Sequence, residues 1–124
     1  MAFTFPKKEK LKSKKLIDQL FVTGKSITYS SLKLIYIATP FEGASKIKTG
    51  VTAPKNKFKN AVERNRVKRI LREAYRLNKH TVFNNIEGSF AFMILYLGND
   101  IPSFNEVDEK MRGLLKKFLE KNKN

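Results

Sequence analysis

Between Lys55 and Lys79 the chain reads KNKFKNAVERNRVKRILREAYRLNK, and the rest of the fold builds outward from this segment. Wound at the helical pitch of about 100° per residue, it separates into two faces. Val67, Ile70, Leu71, Ala74 and Leu77 gather on one side. Arg64, Asn65, Lys68, Arg72, Arg76 and Lys79 gather on the other, with Arg69 beside them and Arg66 near the boundary. Asn60, with Glu63 three residues on, has the pattern of a capping box, which satisfies the free N–H groups of a first turn. The spacing predicts a helix from about Asn60 to about Lys79 that docks by its apolar stripe and presents a cationic ridge.

Upstream, Lys46–Ala53 alternates, with Ile47, Thr49 and Val51 on one face, and predicts a strand. Tyr29–Ala38 is rich in β-branched and aromatic residues and predicts another, with Pro40 and Gly43 marking the turn between them. Ser13–Val22 predicts a helix with Leu16, Ile17, Leu20 and Phe21 on one face and Gly24 as its terminator. Downstream, FAFMILYL at Phe90–Leu97 is a continuous apolar run of strand length, as a strand buried on both faces requires. Ser103 and Glu106 form a second capping box, opening a helix with Val107, Met111, Leu114, Leu115 and Phe118 at helical spacing. Glu106, Asp108 and Glu109 crowd its first turn, where the helix dipole favours them. The order is helix, strand, strand, an optional third strand, helix, strand, helix. An α+β fold is expected: a single-domain α/β sandwich on one small mixed sheet spanning residues 1–124, with 1–9 and 120–124 flexible.

The composition narrows the partner. Twenty-six Lys and Arg against 11 Asp and Glu give a formal charge of +15, which repels itself in a compact fold and points to a polyanion. Nucleic acid is the first candidate, an acidic membrane surface the second and an acidic protein the third. Twelve of the cations, against two acids, fall between Lys46 and Lys79. A merely solvated helix face mixes signs for i,i+4 pairing, and this one hardly does. Its arginines offer planar forks of donors that match phosphate oxygens. The row continues into the preceding loop through Lys55, Lys57 and Lys59, with Phe58 among them as core or as a stacking surface for a base.

Several chemistries are missing. There is no cysteine, hence no disulfide or thiolate metal site. The lysine-rich start, Met1–Lys15, lacks the apolar run of a signal peptide, and no segment approaches the roughly 18 apolar residues of a membrane span. A cytoplasmic protein is expected. A self-sufficient nuclease would show convergent carboxylates or an acid–base set, yet the acids here are scattered. His80, the single histidine, adjoins the end of the basic helix, where a surface or dipole role fits better than catalysis.

Arg64-Asn65-Arg66-Val67-Lys68-Arg69-Ile70-Leu71-Arg72-Glu73 fills every position of an RNR-type helix signature, and Gly50–Lys55 supplies the strand that precedes it. In this the sequence resembles the bacterial ribonuclease P protein family, over roughly residues 10 to 118. The basic start with Leu20, Phe21 and Gly24 agrees more loosely, and Ile17 stands where the family has an aromatic.

The resemblance implies a fold similar to the ribosomal protein S5 domain 2-like fold, with a left-handed βαβ crossover against the general right-handed rule. It implies a protein subunit without catalytic or metal-binding residues of its own. Mg²⁺ and the hydrolysis that frees the mature tRNA 5′ end would belong to the RNase P RNA subunit. Arg64, Asn65, Arg66, Lys68, Arg69 and Arg72, with Lys55 and Lys57 in the loop, would meet RNA. A cleft between the first helix and the sheet would take the single-stranded 5′ leader of precursor tRNA, with Phe21, then Ile17 and Tyr36, as candidates to line it. No membrane and no obligate protein partner are implied. An RNA-chaperone or ribosome-associated module without a partner ribozyme fits the composition and the basic helix equally well. DNA-binding and membrane-surface readings fit less well, for want of a compact helix pair and of interfacial tryptophan.

Overall fold

The computed structural model describes residues 5–41 and 46–122. Gly43, half of the expected turn, lies outside the described residues. A 3-10 turn at Lys7–Glu9 leads into α1 (Lys14–Thr23). The elements β1 (Lys25–Tyr29), β2 (Leu32–Ala38), β3 (Ile47–Thr52), α2 (Ala61–Asn78), α3 (His80–Phe83), β4 (Phe90–Tyr96) and α4 (Phe104–Lys121) follow. The four strands form one mixed sheet in the order β1-β2-β4-β3. β2 runs antiparallel to both neighbours, while β3 and β4 are parallel and joined through α2, as parallel neighbours need a crossover.

β4 sits at the centre of the sheet and explains its own composition. Phe92, Ile94 and Tyr96 face the side covered by α2 and α4, whereas Ala91 and Met93 face the side covered by α1. A strand buried on both faces cannot alternate apolar and polar residues, so the run is continuous. On the α4 side, the Phe118 ring stands edge-on to Tyr36, Phe90 and Phe92 at 5.0, 5.3 and 4.9 Å. α2 and α4 are also tied by Asn78, a buried amide that donates to the Ala74 carbonyl and to Asp108 Oδ1, each at 2.7 Å.

The caps expected at Asn60 and Ser103 are formed, and Ser13 supplies a third that the sequence reading did not name. Ser13 Oγ accepts from the Leu16 amide, Asn60 Oδ1 from Val62 at 2.7 Å, and Ser103 Oγ from Glu106 at 3.2 Å. Each such cap contributes about 1 kcal/mol.

Three local readings are corrected. Tyr29–Ala38 is not one strand: the chain reverses at Ser30, whose φ of 54° is left-handed, and β1 pairs back on β2 from Tyr29↔Leu32 to Lys25↔Tyr36. Serine rarely adopts this conformation, so the turn carries no glycine signal to read. Gly24 ends α1 in an extended conformation, φ −69° and ψ 150°, instead of the left-handed one. It is needed for close approach, because a Cβ there would overlap the Leu20 carbonyl and lie 2.7 Å from Ile35 Cγ2. On α2 the buried stripe is Val67, Leu71, Ala74, Tyr75 and Asn78, with Ile70 and Leu77 only half-buried. Tyr75, a residue with a polar tip, is fully buried at the heart of that stripe.

Of the two ends expected to be flexible, residues 5–9 lie against the core. The Phe5 ring packs on Tyr75 at 5.5 Å, and the Leu11 amide donates to the Thr49 carbonyl at 3.0 Å. At the other end, α4 continues to Lys121.

Candidate RNA interface

The apolar stripe of α2 fixes which way its cations point. With Val67, Leu71 and Ala74 wholly buried, Asn65, Arg66, Arg69 and Arg72 are exposed and Lys68 is half-buried. Among the described residues none of these five carries an ion pair. Ion pairs lie further along the helix, where Arg76 meets Glu73 at 2.8 Å and Lys79 meets Glu9. The cationic ridge is thus open over the first three turns of α2 and partly neutralised beyond them.

Arg64 does a different job from its neighbours. It is half-buried, and its Nη1 donates to the Phe58 and Lys59 carbonyls, both at 2.8 Å. Those two bonds close the Pro54–Asn60 loop, which is further tightened by the Phe58 amide donating to the Pro54 carbonyl. Phe58 is buried against the Tyr96 ring at 6.0 Å, so it belongs to the core and offers no stacking face. In the loop, Lys55 is exposed, and the exposed Lys57 bonds through Nζ to the Leu97 carbonyl.

The open ridge borders a groove of about 230 Å³ between the N-terminal segment, α1, β3 and α2. Ile17, Leu11 and Met93 give it apolar surface, while Lys10, Lys12, Lys68 and Arg72 supply charge. Gly50 also lines it, where a Cβ would lie 2.9 Å from Cε at the movable end of Met93. Sequence reasoning found Ile17, Lys68 and Arg72 but missed Phe5, Lys10 and Lys12, which also line the groove. Their signal was weak: Phe5 and Leu11 are isolated apolar residues in a run of lysines, and nothing local reveals that they anchor on Tyr75 and Thr49.

The other two expected cleft residues fall elsewhere. Phe21 lies four residues beyond Ile17 on α1, 52% exposed, outside the residues that line the groove. Tyr36 faces the opposite side of the sheet, packed on Phe118 and Phe90, because the register sends Ile35 and Ile37 toward α1 instead. A one-residue step in a strand exchanges the faces, so the register alone, which the sequence left open, decides where Tyr36 points.

Among the described residues no group of three or more His, Asp or Glu side chains converges so as to hold a metal ion. No helix among them is long and apolar enough to cross a membrane. Larger than the groove is an open hollow of about 440 Å³ lined by Asn85, Ile86, Lys116 and Glu120, remote in sequence from the ridge and of mixed charge.

Comparison with known proteins places this architecture. The sequence profile described as Ribonuclease P matches residues 5–119. The chain is 34% identical over 115 residues to the ribonuclease P protein component of Porphyromonas gingivalis, covering 89% of this chain and 82% of that one. It is 34% identical over 119 residues to the corresponding protein of Dictyoglomus thermophilum, covering 96% and 92%. The fold is similar to that of the RNase P protein of Thermotoga maritima, with a TM-score of 0.68 at 24% identity over 88% of this chain and 96% of that one. It is also similar to the RNase P protein of Staphylococcus aureus, with a TM-score of 0.67 at 15% identity over 89% and 94%. With its RNR helix, its mixed sheet and a profile match over nearly its whole length, the chain belongs to the ribonuclease P protein family.

Proposed function

We propose that the chain is the RNA-binding protein subunit of a ribonuclease P ribonucleoprotein and a cofactor of an RNA active site. The ridge of Arg66, Arg69 and Arg72, with Asn65 beside it, grips the RNase P RNA. The groove of Ile17, Leu11, Lys68 and Arg72 takes the single-stranded 5′ leader of precursor tRNA, and Phe21 lies one helical turn beyond Ile17. The observation that carries this reading is the meeting of two surfaces at Lys68 and Arg72. There an unpaired arginine row, suited to phosphates, runs into a groove with apolar and cationic walls, suited to an unpaired strand.

Mg²⁺ and the hydrolysis belong to the RNA in this proposal. The protein contributes charge, which lowers the repulsion between two RNAs, and a fixed surface that aligns the leader. The work is cytoplasmic, and it needs neither a membrane nor an obligate protein partner.

Binding to a bacterial RNase P RNA across a salt series tests the first half. Each cation withdrawn from a phosphate reduces the slope of log K against log salt by about 0.9 for a duplex. Arg66→Gln/Arg69→Gln is therefore expected to flatten the slope by nearly 2 and to weaken binding at every salt concentration. A double variant with wild-type affinity and slope would refute the ridge assignment.

A further inference from the structure

The strap of residues 5–12 ahead of α1 forms one wall of the groove, although its charge argues against its lying there. Six lysines fall between Lys7 and Lys15, and α2 turns Arg69, Arg72 and Arg76, against the single acid Glu73 that pairs with Arg76, toward Phe5 and Lys10 across a hollow of about 200 Å³. Like charges this close repel. Phe5 and Leu11 fasten the strap through apolar and backbone contacts, and Glu9 is the one acid among the first 17 residues. Its carboxylate pairs with Lys79 at the far end of α2, and the two side chains are only 12% and 11% exposed. The Lys79 ammonium also stands over the rings of Phe5 and Phe83, at 6.0 and 5.5 Å. Neither Glu9 nor Lys79 lines the groove.

We propose that Glu9 and Lys79 form a positioning clasp. They hold the cationic strap against α2, so that Lys10 and Lys12 on one wall face Lys68 and Arg72 on the other across the width of a single RNA strand. The proposal rests on the groove's being a single-strand site. The pair acts through the strap and touches no RNA.

The clasp reverses the sign that electrostatics alone would give. Glu9→Gln removes a negative charge from a protein of net charge +15, which raises its general attraction to any RNA. The clasp predicts the opposite for single strands. Fluorescence anisotropy of the full-length protein with a labelled single-stranded RNA oligonucleotide, and with a duplex of equal length, separates the two. In Glu9→Gln, single-strand affinity falls about tenfold while duplex affinity holds or rises. Glu9→Lys/Lys79→Glu keeps the net charge, re-forms the pair in reverse and restores single-strand affinity to within about threefold of wild type.

A Glu9→Gln protein that binds single strands as tightly as wild type would overturn the clasp, even with a lowered melting temperature. So would a folded double reversal that binds them weakly, and this variant decides the matter where Glu9→Gln does not fold. A wild-type protein indifferent to strandedness would overturn the groove reading and the clasp with it. A wild-type preference that survives in Glu9→Gln would overturn the clasp alone.

Discussion

Arg64 shows how one position in a basic motif serves a structural purpose. One guanidinium nitrogen, Nη1, donates to two loop carbonyls, and the shorter side chain of lysine would have to shift to bring its ammonium to the same point. Arg64→Lys is expected to cost about 1–3 kcal/mol of stability, from the loss of charge-assisted bonds to the carbonyls. Arg69→Gln, on an exposed and unpaired residue, should leave stability within about 0.5 kcal/mol of wild type and weaken RNA binding. Urea unfolding of both variants checks this, and equal destabilisation would contradict the division. Tyr75 is the other residue with a distinctive signature. Burial raises its pKa well above the ordinary 10.0, the Glu9 carboxylate adds to the rise, and Thr49 works against it. A phenol whose pKa is raised by folding contributes stability that is complete below pH 10 and declines as pH rises above it. The buried Tyr75 hydroxyl has no well-formed hydrogen bond among the described residues. Tyr75→Phe should therefore cost less than about 1 kcal/mol at neutral pH and make the alkaline decline shallower. A decline as steep as that of wild type would contradict it.

At the scale of elements, the helices were legible because their signals are local. Asn60 and Ser103 cap where the spacing placed them, and the alternation of stripe and ridge along α2 survives in the fold. The strands were legible in composition but less so in register. The Ser30 turn lacks the Asn-Gly or Gly pair that a two-residue hairpin usually shows, so β1 went unread apart from Tyr29, which was joined to β2, and the face of Tyr36 waited on the register. Ser30→Asn, which tolerates positive φ better, is expected to raise stability by a few tenths to about 1 kcal/mol, measured by thermal unfolding. A lower melting temperature would contradict the turn geometry. α1 carries the leader contacts in this account, and Ile17, not Tyr36, shares the groove with Lys68 and Arg72. In the holoenzyme, Ile17→Ala should weaken discrimination between precursor and mature tRNA, by up to about tenfold for the loss of one apolar platform. Tyr36→Phe should leave discrimination unchanged, and the reverse result would contradict the assignment of faces.

Across the whole molecule, a charge of +15 is concentrated where α2 and the strap converge, while α4 and the sheet supply the core beneath. The ridge could be read from sequence because one helix carries it. The groove could not, because its walls come from residues 5–17, 49–51, 68–72 and 93, which only the assembled sheet brings together. Such a surface, an open arginine row running into a groove with apolar and cationic walls, suits the RNA-organising role proposed above. A 5′-processing assay on leader-bearing precursor tRNA at low Mg²⁺ tests this most directly, with the protein alone, a bacterial RNase P RNA alone, and the two together. Cleavage at the mature 5′ end is expected with both and none with the protein alone. Cleavage by the protein alone, or no stimulation of the RNA despite tight binding, would contradict it.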